Sequence, residues 1–176
     1  LSELLVQRKV VRVTVMRATI HLVGAGDCLL LRPLMQPVLD AELTRHRDYS
    51  PALEGVVLEP VLSFARELLA ERPRTGPDLR EALAGHFPRH DPAALAYACR
   101  CRLALVQVPP RGVWGKTSQV TVTTAEAWLG RSLVDAVGEN PPAPDARELA
   151  AAIRKAREAA LSDPEGKHLG QALGKP

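Results

Sequence analysis

The chain has 176 residues, of which 46% are apolar, with a formal net charge of +3 and a pI of about 9. That length allows one sizeable domain or two small ones with a buried core, and so mild a charge excess means that nucleic-acid binding must be argued from where the cations sit. Cys28, Cys99 and Cys101 lack the spacing of a disulfide framework. A secreted disulfide scaffold is therefore excluded in favour of a reducing, cytoplasmic compartment. The longest apolar run, near Val23 to Val38, is interrupted by Asp27, Arg32, Pro33 and Pro37, so no membrane span is expected. With only two each of Trp, Tyr and Phe, the packing falls to Leu, Val and Ala.

Leu1 to Leu5 reads as the end of a helix, and the natural N-terminus is expected upstream. Val11 to Val15 alternates, and Ile20 to Val23 is a second β-like run across Met16-Arg17-Ala18-Thr19. From Arg8 to Gly26 there is no acid, while Arg8, Lys9, Arg12 and Arg17 all fall inside. This segment reads either as the closing hairpin of a first DNA-contacting unit or as an ordinary hairpin with a solvated basic face. His21, flanked by apolar residues, is expected to be structural. Asp27 is expected to cap a helix over Cys28 to about Leu43, which Pro33 should kink or restart. Thr44 to Ser50 is a polar connection.

From Leu58 the helical period is clear: Leu58, Val61, Leu62, Ala65, Leu68 and Leu69 share one face, and Pro73 ends the run. Thr75 with Asp78 forms a variant capping box for a helix running to Ala84 and stopped by Gly85. Asp91 and Pro92 suit the start of a third helix. On it Leu95, Ala98, Cys99 and Leu103 are expected inward, leaving Tyr97, Arg100 and Cys101 outward and Arg102 snorkelling from the apolar side.

After that helix, Leu105, Val106 and Val108 give a β signal that returns in Val120 to Thr123. Between them lies PPRGVWGKTS, Pro109 to Ser118, where Gly112 and Gly115 permit a tight reversal. No acid occurs from Pro92 to Ala125, whereas Arg100, Arg102, Arg111 and Lys116 do. Three helices followed by a cationic hairpin is the order of a winged helix-turn-helix. The expected fold class is thus mostly α with small β-hairpins (α+β), in tandem winged-helix units with the first one incomplete. Residues 1–50 would hold the C-terminal part of that first unit plus a connecting helix, residues 51–137 the second unit, and residues 138–176 a linker and tail helix. Ala125 to Leu129 should form a short helix that packs Trp128 back on the domain.

The wing is the most specific chemical signal. Arg111 and Lys116 can lay charge on phosphate, and Trp114 between them can stack or wedge; covering the hairpin base is the alternative for that indole. Tyr97 and Arg100 are the helix's contact candidates, with Arg12 and Arg17 from the first hairpin. The helix is otherwise rich in alanine, so little sequence discrimination is expected. His86, His90, Cys99 and Cys101 do not have convergent ligand spacing, and neither a metal nor a cofactor is expected. No G-x-S-x-G, phosphate-binding glycine loop or paired carboxylate site is present, so the residues by themselves support a binding module and do not show catalysis.

Met16-Arg17-Ala18-Thr19-Ile20-His21-Leu22-Val23 is similar to an M-R-G-T-L-H-L-V segment, and Pro109-Pro110-Arg111-Gly112-Val113-Trp114-Gly115 to P-P-R-G-x-W-G. With Ala125 to Gly130, these resemble the winged-helix DNA-binding proteins related to AlkZ-type bacterial DNA glycosylases, over about Leu1 to Leu133. The resemblance implies tandem winged-helix units, duplex DNA as partner and, in some members, removal of alkylated or crosslinked bases. It also implies a catalytic Gln-x-Gln segment that would precede residue 1; Gln107-Val108-Pro109 lacks the second Gln and is no substitute. From the resemblance, Arg111 and Lys116 take a DNA-binding role, and Thr19 and His21 a structural one. The expected function is low-specificity duplex binding linked to DNA repair. The rivals are a glycosylase whose active segment lies upstream and a winged-helix module that docks protein.

Overall fold

Helix α1 (Ser2–Val6) leads into β1 (Val10–Thr14), which returns as β2 (Ile20–Gly24) through a Met16–Ala18 turn. The computed structural model describes residues 1–133. Arg17 and Ala18 both hold φ of +53° in that turn, a left-handed conformation costing a residue with a Cβ roughly 1–2 kcal/mol. Ala18 stands where the resembling segment has glycine. Two bonds tie the turn down: the Thr19 hydroxyl donates to the Met16 carbonyl at 3.0 Å, and the His21 Nδ1 lies 3.0 Å from the Thr19 carbonyl.

The apolar run from Ala25 forms two helices, α2 (Ala25–Leu34) and α3 (Gln36–Arg45). Pro33 sits in the last turn of α2, and the chain restarts at Met35, as the missing amide demands. Asp27 is not the cap: Gly24 is, and Asp27 lies within the first turn. There its carboxylate stands 2.8 Å from where a Cβ on Gly24 would be, close to the positive end of the helix.

Helix α4 (Leu58–Glu71), strand β3 (Arg74–Thr75), α5 (Gly76–His86) and α6 (Pro92–Arg102) follow, then β4 (Leu105–Gln107), β5 (Thr121–Thr124) and α7 (Ala125–Leu129). The capping box is present: the Asp78 amide donates to the Thr75 hydroxyl, and the Thr75 amide to the Asp78 carboxylate. Asp91 caps α6 through the Ala93 amide at 2.8 Å. Gly85 does not stop α5, which continues to His86. Thr123 donates to the Leu69 carbonyl at 2.7 Å, supplying the partner that the end of α4 lacks.

Hydrogen bonds from Thr75, through its side chain and then its backbone, hold the Asp78 carboxyl below the usual carboxylate range. A depressed folded-state value means the stabilisation is present above the unfolded pKa and is lost as pH falls through the folded one. Asp78→Asn is expected to lower the melting temperature at neutral pH and to converge with the parent chain in acid. Thermal melts at pH 7 and at about pH 3 check this; a constant gap would show that the charge is not the source.

All strands join one antiparallel sheet in the order β2-β1-β4-β5-β3. Residues on opposite sides of position 50 thus share a ladder, with Arg12 opposite Gln107 and Val13 opposite Val106. One face, with Val11, Val13, Val15, Val106 and Val108, packs on Cys28, Ala104 and Ala125. On the other face Leu105 and Val122 join the α4–α6 core of Val61, Leu62, Ala65, Leu69, Leu79, Leu83, Leu95, Cys99 and Leu103.

Helix α6 has no solvent stripe of ordinary width. Leu95, Ala98, Cys99 and Leu103 are buried as expected, but Cys101 is buried as well, at 2% exposure, in a third cluster with Leu39 and Leu43 of α3. The outward placement of Cys101 is therefore corrected: α3 covers the side of α6 that α4 and α5 leave open. Arg102 does reach solvent and meets Asp40 at 3.2 Å. Trp128 packs on the core below the sheet. Arg8 clamps it, with its guanidinium 4.0 Å from the ring centroid and an N–H donated to the Trp128 carbonyl. The linker and tail helix expected over residues 138–176 lie outside the described residues.

Candidate nucleic-acid interface

The loop between β4 and β5 is built on two reversals. The Val113 amide donates to Pro110 and the Lys116 amide to Val113, while Gly112 and Gly115 take φ of +85° and +72°. Gly112 also permits a close approach, since a Cβ there would meet the Arg12 side chain at 3.1 Å. The loop is thus seated against β1. Ser2 adds a second tether by accepting from the Trp114 amide at 2.9 Å.

This seating brings Arg12, Arg111, Trp114 and Lys116 around one surface depression of about 400 Å³, whose lining contains no acid. Arg12 is held by donation from its Nε to the Gln107 side chain at 3.0 Å, a contact that follows from their pairing across β1 and β4. Arg111 and Lys116 are exposed. Trp114 is 94% exposed, so the indole does not cover the hairpin base. An aromatic so uncovered gains nothing for the fold, because its apolar area remains in water.

The other sequence candidates lie apart from that depression. Arg17 lines a second hollow, with Ala18 and residues of α3. Arg100 is exposed but donates to the Ala18 carbonyl at 3.1 Å, and it borders a third, largely apolar groove with Arg80. Tyr97 is half-buried, donates to Glu42 at 3.0 Å and packs its ring against His46 and Tyr49. Burial and that hydrogen bond push its phenol well above the ordinary tyrosine value. Tyr97 and Arg100 therefore both serve contacts between α6 and the first half of the chain.

Ser2, Gln107 and Glu42 were not legible as partners of these residues, because each acts across 55 or more positions of sequence. The cysteines offer no reactive thiol: burial raises Cys28 to about 11 and Cys99 to about 12, and raises Cys101. Among the described residues no group of three or more His, Cys, Asp and Glu could hold a metal, and no helix is long and apolar enough to cross a membrane.

Fold and surface together define a mixed α+β protein with a cationic, aromatic loop that joins two inner strands of its sheet and is seated against β1. The family model for DNA glycosylase AlkZ-like proteins matches residues 1–161, and the chain belongs to that family. No curated protein matches its sequence. Among solved structures, Streptomyces sahachiroi DNA glycosylase AlkZ is similar, with a TM-score of 0.57 and 16% identity. The match covers 81% of this chain and 38% of that one, so the chain spans well under half of that protein's length. At this identity the likeness is one of fold.

Proposed function

We propose that this chain binds duplex DNA through the loop Pro109 to Ser118 together with Arg12, with little sequence discrimination and in the service of repairing alkylated or crosslinked DNA. The observation that carries the reading is the convergence of Arg12, Arg111 and Lys116 with an uncovered indole around one acid-free depression. Cations so placed can neutralise phosphates and release their counterions. Membership of a DNA glycosylase family supports DNA as the partner.

In this reading the described part of residues 51–137 forms a winged helix-turn-helix: α4, β3, α5, α6, β4 and β5 follow one another in its order. Residues 1–50 supply the closing hairpin of a first unit. The wing makes the principal contact, because Tyr97 and Arg100 of α6 are already engaged within the chain and its alanines cannot read base edges. Base excision is the second reading, favoured by the family. The 176 residues contain no Gln-x-Gln, and Gln107 is committed to Arg12. Excision is accordingly not assigned to the described residues.

Fluorescence anisotropy of a labelled duplex over a salt series tests the proposal. Binding whose logarithm falls linearly with that of salt concentration is expected. Absence of binding at low salt would refute it and favour the protein-docking rival.

A further inference from the structure

We infer that Trp114 is a stacking residue for an unpaired base, so that the depression beside it takes a nucleotide left unstacked at a bulge or lesion in preference to one within an intact helix. The inference rests on the DNA-binding reading and adds the class of DNA that the site selects.

The indole is held for contact without being used by the fold. Its side chain is 94% exposed, whereas its backbone is fixed by the Ser2 hydroxyl and by a glycine on either side of Val113-Trp114 that sets the turn. A fixed backbone with an uncovered ring reduces the entropy lost when a planar partner settles on it. The depression's volume, about 400 Å³, falls in the range of clefts that hold small ligands.

Its charge fits one end of such a ligand and its ring the other. Arg12, Arg111 and Lys116 are available for phosphate, and the indole for the base. Of the Arg12 donors, only Nε is engaged among the described residues, which leaves the guanidinium fork open to an oxyanion. A base inside a duplex already has both faces stacked, so it offers the indole nothing. A bulged base has lost that stacking and regains it here. Stacking on an aromatic side chain is sequence-tolerant because each base has a π-face. The site therefore selects unstacked geometry and leaves base identity unread.

The test compares two labelled duplexes of equal length, one fully paired and one with a single-nucleotide bulge, titrated with the parent chain, Trp114→Ala and Trp114→Phe. The parent chain is expected to favour the bulged duplex about tenfold. Trp114→Ala should bring that ratio close to one, and Trp114→Phe should keep much of it. Parent-chain tryptophan emission should be quenched by the bulged duplex. In Trp114→Phe, where Trp128 beneath Arg8 is the remaining indole, the quenching should vanish. Salt-sensitive binding without a bulge preference, or a preference that survives Trp114→Ala, overturns the stacking role alone. A parent chain that binds neither duplex overturns the DNA-binding reading and this inference with it.

Discussion

Arg32→Met is expected to lower the unfolding free energy by about 2 kcal/mol and the melting temperature by about 6 °C. Arg32 is 2% exposed and lies on α2, yet its Nη2 donates to the carbonyls of Cys101 at 2.7 Å and Leu103 at 3.1 Å. Those groups close α6, where four carbonyls have no partner within the helix and a cation is favoured by the helix dipole. Its Nη1 donates to Gln36 at 2.7 Å, and Gln36 in turn bonds Cys101 and Asp40. Burial opposes the arrangement: desolvation lowers the guanidinium's pKa, and the Nε has no partner among the described residues. Replacing a whole buried polar network by apolar groups can be neutral. Methionine, however, removes one side only, filling the stem's volume while taking the charged donor from two carbonyls that keep one neutral donor each, the Gln36 side chain on Cys101 and the Leu105 amide on Leu103. Loss of the donor therefore outweighs relief of the buried charge. A melt or urea titration showing no change would mean that the Gln36 side chain and the Leu105 amide suffice for those carbonyls.

The same arginine shows what a sequence withholds. Elements ruled by local chemistry were legible: the period of α4, the Thr75–Asp78 box, the Asp91 cap and the two apolar strands of the first hairpin all stand where pattern placed them. Failures came where a distant segment decides. A charge in an apolar run reads as a surface residue, and only the end of α6, some seventy positions on, makes Arg32 an interior one. Cys101 looked outward because an amphipathic helix is assumed to keep one wet side. Here residues 36–45 cover that side. The site divides in the same way. Two acid-free windows were visible, but their meeting depends on the β1–β4 ladder, which sets Arg12 beside Gln107 and brings the 109–118 loop onto the first hairpin. Arg17 shares the first window with Arg12 yet belongs to another hollow, because the left-handed turn carries it toward α3.

Arg111→Ala combined with Lys116→Ala should reduce the slope of log affinity against log salt by about 1.8, the release of two counterions on duplex DNA. Affinity should fall severalfold or more at low ionic strength and differ less from the parent chain as salt rises, because the lost contribution is itself the salt-sensitive one. Both residues are exposed on a loop whose shape rests on Gly112, Gly115 and backbone bonds, so the double variant should melt with the parent chain. Arg66→Ala removes an exposed cation of α4 that does not border the depression and should leave the slope unchanged. Arg100→Ala separates the two possible readers. If α6 lay on phosphate, its slope would fall by a further unit; with the guanidinium spent on the Ala18 carbonyl, it should barely move. A slope lost with Arg100 and kept without Arg111 and Lys116 would transfer the interface from the 109–118 loop to the helix. The opposite pattern ties the salt dependence to the loop that α6 and the shared sheet hold in place.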